Sequence, residues 1–338
     1  MSDVVWVVIV NYRTPALVVD CLASLAEQIV GHPGSRVVVV DNHSEDGSGA
    51  ILAEAVVAKG WSDWVSIIEM ERNGGFAYGN NAGIKAAQSA NPPPDHFLLL
   101  NPDTVAREGA LTTLLTFMKN HSPVGIAGCR IEDPAGSVGC SAHTFPSPVS
   151  EFEQGLRFGP ISRLLRKHVV SPPTQSVAQE CDWVSGACMM IRREVVEDIG
   201  LMDEGYFLYF EEVDYCRVAR SAGWEVWYVP DARVMHLEGA ATQVTDKEKR
   251  RPSYWFESRR RYFVKHYGVA GLMVADILWA IGHIGYLIRR LLTPFSASKY
   301  RDPRGYAADL LWGDLRALLS GALWRIGCVG KQAARRGA

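Results

Sequence analysis

Leu98-Leu99-Leu100-Asn101-Pro102-Asp103-Thr104 is the stretch on which the reading of this chain turns. Apolar residues suited to a buried parallel strand end abruptly in an amide, a proline and a carboxylate. Ligands of open α/β sheets bind just beyond the carboxyl ends of the strands. An acid planted there can hold a divalent cation against a phosphate, because hard oxygen ligands suit Mg²⁺ or Mn²⁺. The competing reading is structural: Asp103 precedes a helical stretch beginning near Glu108 and would serve as its N-cap. The sequence on either side decides between the two.

Upstream, strand-like and helix-like pieces alternate. Residues 4–10 read as a buried strand, and Thr14-Pro15 then supplies a cap and a proline at the first helical position. Leu17, Cys21, Leu22 and Leu25 follow at helical spacing. Further strands are expected over 36–40, 65–68, 97–100 and 124–127, with helical stretches between them. Such alternation predicts βαβ units on a mostly parallel, Rossmann-like sheet flanked by helices, with right-handed crossovers that bring the strand ends to one rim. Asp41, Asn73 and Asp103 fall at that rim.

The pattern breaks over 131–179 into Pro, Ser and Gly with a short basic piece at 163–167, which fits a mobile insertion over a site or a plain surface loop. Order returns with a strand-like run over 183–191, interrupted by Gly186. Helical spacing over 210–222 and a short aromatic strand over 224–229 come next. Beyond Thr245 the chain turns basic and aromatic, with Arg259, Arg260, Arg261 and Lys265, and then apolar over 269–288.

Bulk properties exclude some partners. A formal net charge of −2 over 338 residues argues against nucleic acid, which is usually met by a strongly basic face. Seven scattered cysteines without a Cys-x-x-Cys pair read as reduced thiols in a cytoplasmic protein, not as a disulfide or zinc framework. The N-terminus enters its first strand without a basic leader, so the chemistry is expected inside the cell.

Four constellations carry chemistry. Asp41 ends the second strand where a dinucleotide-binding fold would place its ribose-binding acid, but Asn11-Tyr12-Arg13-Thr14 stands where that fold needs Gly-x-Gly-x-x-Gly, so a nicotinamide dehydrogenase is not expected. Asp41 could instead accept hydrogen bonds from the imide edge of uracil or thymine or from a ribose, or it could organise an Asx-type turn. The run Asn73-Gly74-Gly75-Phe76-Ala77-Tyr78-Gly79-Asn80-Asn81 allows close backbone approach to a ligand. In the acidic stretch from Asp203 to Arg217, a helix starting near Glu211 would place its first acids at the positive end of the helix dipole and pair Asp214 with Arg217. Glu212 would then point to the cleft, where a carboxylate of suitable pKa can act as a general base. Asp203 is the fallback for that role. Finally, His236 opposite Asp103 would complete a mixed oxygen and nitrogen site suited to Mn²⁺, against the more usual reading of a lone histidine as a hydrogen-bonded core residue.

The order of these elements resembles the family 2 glycosyltransferases with the GT-A fold, in particular the rhamnosyltransferase-like branch. The match runs through Val8-Ile9-Val10-Asn11-Tyr12, Val40-Asp41-Asn42, Asp46-Gly47-Ser48, Asn73-Gly74-Gly75-Phe76, Leu100-Asn101-Pro102-Asp103, Ser185-Gly186-Ala187, the run from Phe207 to Arg217, and His236. The resemblance implies that Asn11, Tyr12, Asp41, Asn73 and Asn101 belong to the nucleotide site, with Asp41 on the base. It makes Asp103 the metal-binding acid of the Asp-x-Asp element, His236 a further ligand and Glu212 the catalytic base. Trp183 and Asp203 fall on the acceptor side. Two departures stand out: Asn101 occupies the first position of the Asp-x-Asp element, and Glu211-Glu212 replaces Glu-Asp.

An inverting, metal-dependent glycosyltransferase using Mg²⁺ or Mn²⁺ is therefore expected. Its donor would be a nucleotide-diphosphate sugar, with dTDP-rhamnose favoured, and its acceptor a surface glycan or lipid-linked glycan. The alternative is a sugar-nucleotide-binding scaffold without transfer activity. Residues 1–245 are expected to form the GT-A domain, with a nucleotide-binding half over 1–130 and an acceptor-binding half over 131–245, and residues 246–338 a helical, membrane-associating extension. Residues 269–288 are numerous enough to span about 30 Å of hydrocarbon. Asp276 and His283 within them argue against a spanning helix. An interfacial helix on anionic lipid at the inner face of the membrane is the favoured reading, and a core helix the other.

Overall fold

The computed structural model describes residues 3–237, 249–292, 302–323 and 326. They divide into two compact units: 3–143, 173–207 and 211–237 form the first, and 144–172, 208–210 and the residues from 249 onward the second.

The first unit begins with the expected βαβ series: β1 (Val5–Asn11), α1 (Pro15–Val30), β2 (Arg36–Asp41), α2 (Ser48–Ala58), β3 (Val65–Glu69), α3 (Phe76–Gln88) and β4 (His96–Leu100). Valine, isoleucine and leucine fill these strands because both faces are covered by helices, and β1, β2 and β4 are buried along almost their whole length. Pro15 opens α1 as expected, but the Thr14 hydroxyl meets the Asn11 side chain at 3.2 Å instead of capping the helix.

Beyond β4 the chain departs from simple alternation. A short β5 (Thr104–Ala106) follows Asp103, and α4 (Ala110–Asn120) starts from Gly109, so Asp103 caps no helix. Then come β6 (Val124–Glu132), β7 (Ala142–His143), the second unit's α5 (Pro148–Leu156) and α6 (Gly159–Leu164), β8 (Gln179–Glu180), β9 (Trp183–Val184), β10 (Cys188–Arg192), α7 (Arg193–Ile199), α8 (Glu211–Ser221) and β11 (Glu225–His236). The main sheet has the order β3-β2-β1-β4-β10-β6-β11-β5, with β8 paired to β11. Strand β10 inserts antiparallel between β4 and β6, while β6 and β11 run parallel. Six of its nine strands among the described residues share one direction. Val229 pairs with Cys129 and Arg233 with Arg130, so residues 230–232 bulge out around Pro230, and β11 then continues to set His236 opposite Thr104.

The second unit is helical. Its long α9 (Ser253–Leu292) bends at Gly268 (φ 71°, ψ 176°), and α10 (Tyr306–Leu319) follows. Helices α5 and α9 approach closely: a Cβ on Gly155 would lie 2.4 Å from the Trp279 carbonyl, and one on Gly282 would lie 2.4 Å from that of Phe152. Beyond the bend, α9 buries Leu272, Ala275, Asp276, Trp279, Gly282 and Tyr286 at helical spacing.

Candidate active site

Three small networks and one acid pair line the carboxyl rim of the first unit's sheet. At the ends of β1 and β2, Asn11 Nδ2 donates to Asp41 Oδ1 at 2.6 Å, the Ser44 hydroxyl donates to the same oxygen at 2.5 Å, and the Ser44 N–H donates to Oδ2 at 3.1 Å. The Asp41 carboxylate thus organises the turn after β2 as well as standing at the rim. Tyr12 beside it is 38% exposed, with the Arg13 guanidinium 5.1 Å from its ring.

Asn42 extends this network to the glycine-rich loop. Its Nδ2 donates to Asn73 Oδ1 and to the Gly75 carbonyl, both at 3.0 Å, and the Gly75 N–H returns to Asn73 Oδ1 at 3.0 Å. Gly75 has φ 88°, and a Cβ there would sit 2.0 Å from the Phe207 carbonyl oxygen, so only glycine fits. The Phe76 N–H donates to that same carbonyl at 2.8 Å.

The third network is centred on Asp103, which is 3% exposed. His236 Nε2 lies 3.1 Å from Asp103 Oδ1 and 3.4 Å from Asn101 Nδ2. The turn that carries them is held at both ends: the Asn101 N–H donates to the Ala187 carbonyl at 3.0 Å, and the Leu237 N–H to the Asp103 carbonyl at 2.9 Å. A carboxylate, an imidazole and an amide facing one another form a donor set that fits Mg²⁺ or Mn²⁺. Among the described residues no group of three or more His, Cys, Asp and Glu side chains stands ready for a metal. A metal here would need further oxygen ligands from a bound diphosphate or water.

Glu211 and Glu212 open α8. The Oε2 atoms of both are buried with no hydrogen-bond partner among the described residues. Burial pushes the Glu212 carboxyl up to about 7. Burial, with the charge of Glu212 added, holds Glu211 well above its ordinary range. Gly186 lies against this pair, since a Cβ on it would be 3.6 Å from Glu212 Cβ and 3.4 Å from the Phe76 ring. The Ser185-Gly186-Ala187 turn therefore links the acid pair, the glycine-rich loop and the Asp103 turn.

Contacts join Asn11, Asp41, Asn73, Asn101, Asp103, His236 and Glu212 around one rim. Trp183 and Asp203 make contacts elsewhere as well. The Trp183 ring stacks on His143 with centroids 4.0 Å apart. Asp203 Oδ1 accepts from the Gly205 N–H at 2.9 Å, in a loop tied to α3 by Asn81. Asp214 accepts from the Tyr206 hydroxyl at 3.3 Å. Sequence reasoning missed Ser44, which shares Asp41, and Asn42, whose amide ties two loops together; their places beside Asp41 were the available signal.

Known proteins agree with this frame. The family model "Glycosyltransferase like family 2" matches residues 3–254. An N-acetylglucosaminyl-diphospho-decaprenol L-rhamnosyltransferase of Mycobacterium tuberculosis is 30% identical over 254 residues, covering 72% of this chain and 78% of the relative. The dTDP-rhamnosyl transferase RfbF of Shigella flexneri is 25% identical over 240 residues, 71% of each chain. Among solved structures, the mannosyltransferase PcManGT of Pyrobaculum calidifontis, in complex with GDP-Man and Mn²⁺, superposes with a TM-score of 0.53 over 98% of this chain and 86% of that one, at 15% identity. The chain belongs to glycosyltransferase family 2.

Proposed function

We propose that the protein is an inverting glycosyltransferase that moves rhamnose from a thymidine diphosphate donor to a hydroxyl of a surface or lipid-linked glycan. The observation that carries this reading is the juxtaposition, through one turn at 185–187, of a buried carboxyl poised near neutrality with the Asp103–His236 pair. Relatives whose names specify rhamnosyl transfer, one of them from a dTDP donor, support the choice of sugar and nucleotide.

In this reading Asn11, Tyr12, Asp41 and Asn73 surround the nucleoside, and Asn101 lies beside the diphosphate. Asp103 and His236 would hold a divalent cation, which when bound neutralises the departing diphosphate. Glu212 takes the proton of the acceptor hydroxyl, whose oxygen forms a bond to the anomeric carbon as the carbon–phosphate oxygen bond breaks. A single displacement inverts that carbon. Trp183 and Asp203 are assigned to the acceptor side.

A donor panel scored by released nucleoside diphosphate, with and without chelator, tests the reading. Turnover is expected with the thymidine-linked rhamnose, lost in chelator and restored by Mn²⁺ or Mg²⁺. A uridine or guanosine donor used at least about tenfold faster overturns the donor assignment, and full activity in chelator overturns the metal.

We also assign residues 246–338 to attachment at the inner face of a membrane. Among the described residues one helix, Ser253–Leu292, is long and apolar enough to cross a membrane. Its bend at Gly268 and its buried Asp276 favour lying on the surface instead. Ile277, Ile281, Ile284 and Ile288 form an exposed stripe, 52–57% accessible, and exposed Arg290 adds positive charge for anionic lipid. Flotation of the full chain with anionic liposomes should be lost in Ile281→Glu/Ile288→Glu, and equal flotation of variant and wild type would defeat the assignment.

A further inference from the structure

The second unit contains a cavity of about 500 Å³ walled by α5, α6, the start of α9 and the residues that open α10. Its size falls within the range of small-molecule sites, roughly 300–1,000 Å³. Nothing in the transfer reaction above uses it. One part of its wall is aromatic: the Trp255 and Tyr306 rings pack at a tilt with centroids 5.6 Å apart, and Trp279 lies 5.6 Å from Tyr306.

The polar groups around these rings are balanced. Arg157 and Arg251 line the cavity together with Glu153 and Asp302, so the two positive charges are matched by two negative ones. Arg157 is paired to Asp302, and the Ser162 hydroxyl donates to Glu153 Oε1 at 2.6 Å. Arg251 is the exception: its guanidinium lies 4.6 Å from the Trp255 ring, and its Nε is buried with no hydrogen-bond partner among the described residues. A buried donor without an acceptor is costly and asks for one.

A free phosphate or diphosphate would satisfy Arg251 but face two carboxylates. A purely apolar ligand would leave Arg251 as it is. Sugar hydroxyls both donate and accept, which suits a rim of guanidinium, carboxylate and hydroxyl groups, and the apolar face of a pyranose ring suits an aromatic wall. We propose that this cavity is a saccharide-binding subsite, separate from the transfer rim, that holds one or two sugar units of the acceptor glycan. The inference rests on the transferase reading for the source of the saccharide, and on the cavity alone for the class of ligand.

Binding is tested on the full chain by saturation-transfer NMR and tryptophan fluorescence. The probes are the methyl glycosides of rhamnose and N-acetylglucosamine, the rhamnosyl–N-acetylglucosamine disaccharide, pyrophosphate and thymidine diphosphate. The disaccharide should bind, Trp255→Ala and Arg251→Met should each weaken it at least about tenfold, and Glu212→Gln should bind it like wild type. Hydrolysis of the nucleotide sugar without acceptor should be unchanged in Arg251→Met, which separates loss of the subsite from loss of the transfer site. Saccharide binding equal in wild type and both cavity variants would overturn the proposal. So would competition by thymidine diphosphate, or binding of pyrophosphate with no saccharide bound at about 10 mM.

Discussion

Two groups of buried acids, one in each unit, meet the same physical problem in opposite ways. In the second unit Glu151, Asp276 and Asp314 surround Arg259, itself 1% exposed, at 2.9, 3.0 and 3.1 Å, and Arg260 adds a 2.6 Å contact to Asp314. In the first unit Glu211 and Glu212 are buried side by side, an oxygen of each left without a hydrogen-bond partner among the described residues. Desolvating a charge costs several kcal/mol unless a counter-charge and hydrogen bonds replace the water. Around Arg259 the three carboxylates meet two guanidinium groups, one acid too many. Burial pushes Asp276 up to about 7 against the pull of Arg259. Glu212 reaches a similar value through burial, with no cation among the described residues opposing it. The first arrangement uses charge to tie α5, α9 and α10 together; the second leaves a carboxyl able to take a proton.

The sharpest way to break this comparison is to remove the cation. Arg259→Met leaves Glu151 buried without its guanidinium and Asp314 with Arg260 alone, and should cost about 3–5 kcal/mol in urea unfolding. A loss below about 1 kcal/mol would mean that the cluster contributes little.

Removing the proposed base comes next in size. Glu212→Gln should keep donor binding and lose at least about a hundredfold in turnover, roughly 2.7 kcal/mol. If it turns over like wild type while Asp203→Asn is inactive, the base has been assigned to the wrong acid.

The smallest effect separates the two acids that share a value near 7. Both are raised in the folded state, so each contributes stability that is complete below its unfolded pKa and is lost as pH rises through about 7. Between pH 5 and 8 the melting temperature of the wild type should therefore fall further than that of Glu212→Gln or Asp276→Asn, by a few degrees. Only the first variant should lose turnover. A pH dependence of stability unchanged in both would show that neither carboxyl titrates in this window.

Much of the first unit was legible. Apolar runs of strand length placed β1 to β4, and the breaks after them placed Asp41, Asn73 and Asp103 at the rim, because a parallel strand buried on both faces needs an unbroken apolar run and polar residues can return only where it ends. Beyond β4, direction and pairing were not legible. The strand-like run over 183–191 gave no sign that β10 enters antiparallel between β4 and β6, since an apolar run reads alike in either sense. The aromatic strand expected over 224–229 continues through the bulge at Pro230 to His236, because pairing with β6 and β5 outweighs the local cost of the proline.

The sequence by itself determined the α/β class, the family motifs and their order, since these depend on period, composition and residue type along the chain. It also flagged Asp276 as an oddity in an apolar run without saying what Asp276 meets. Tertiary structure alone decided which acids are compensated. Arg259 and Glu151 are more than a hundred residues apart, yet they touch. Glu211 and Glu212 are neighbours in sequence, yet their fate depends on there being no cation beside them among the described residues. Electrostatic energy depends on distance and solvent in three dimensions, and neither is written in the order of the residues.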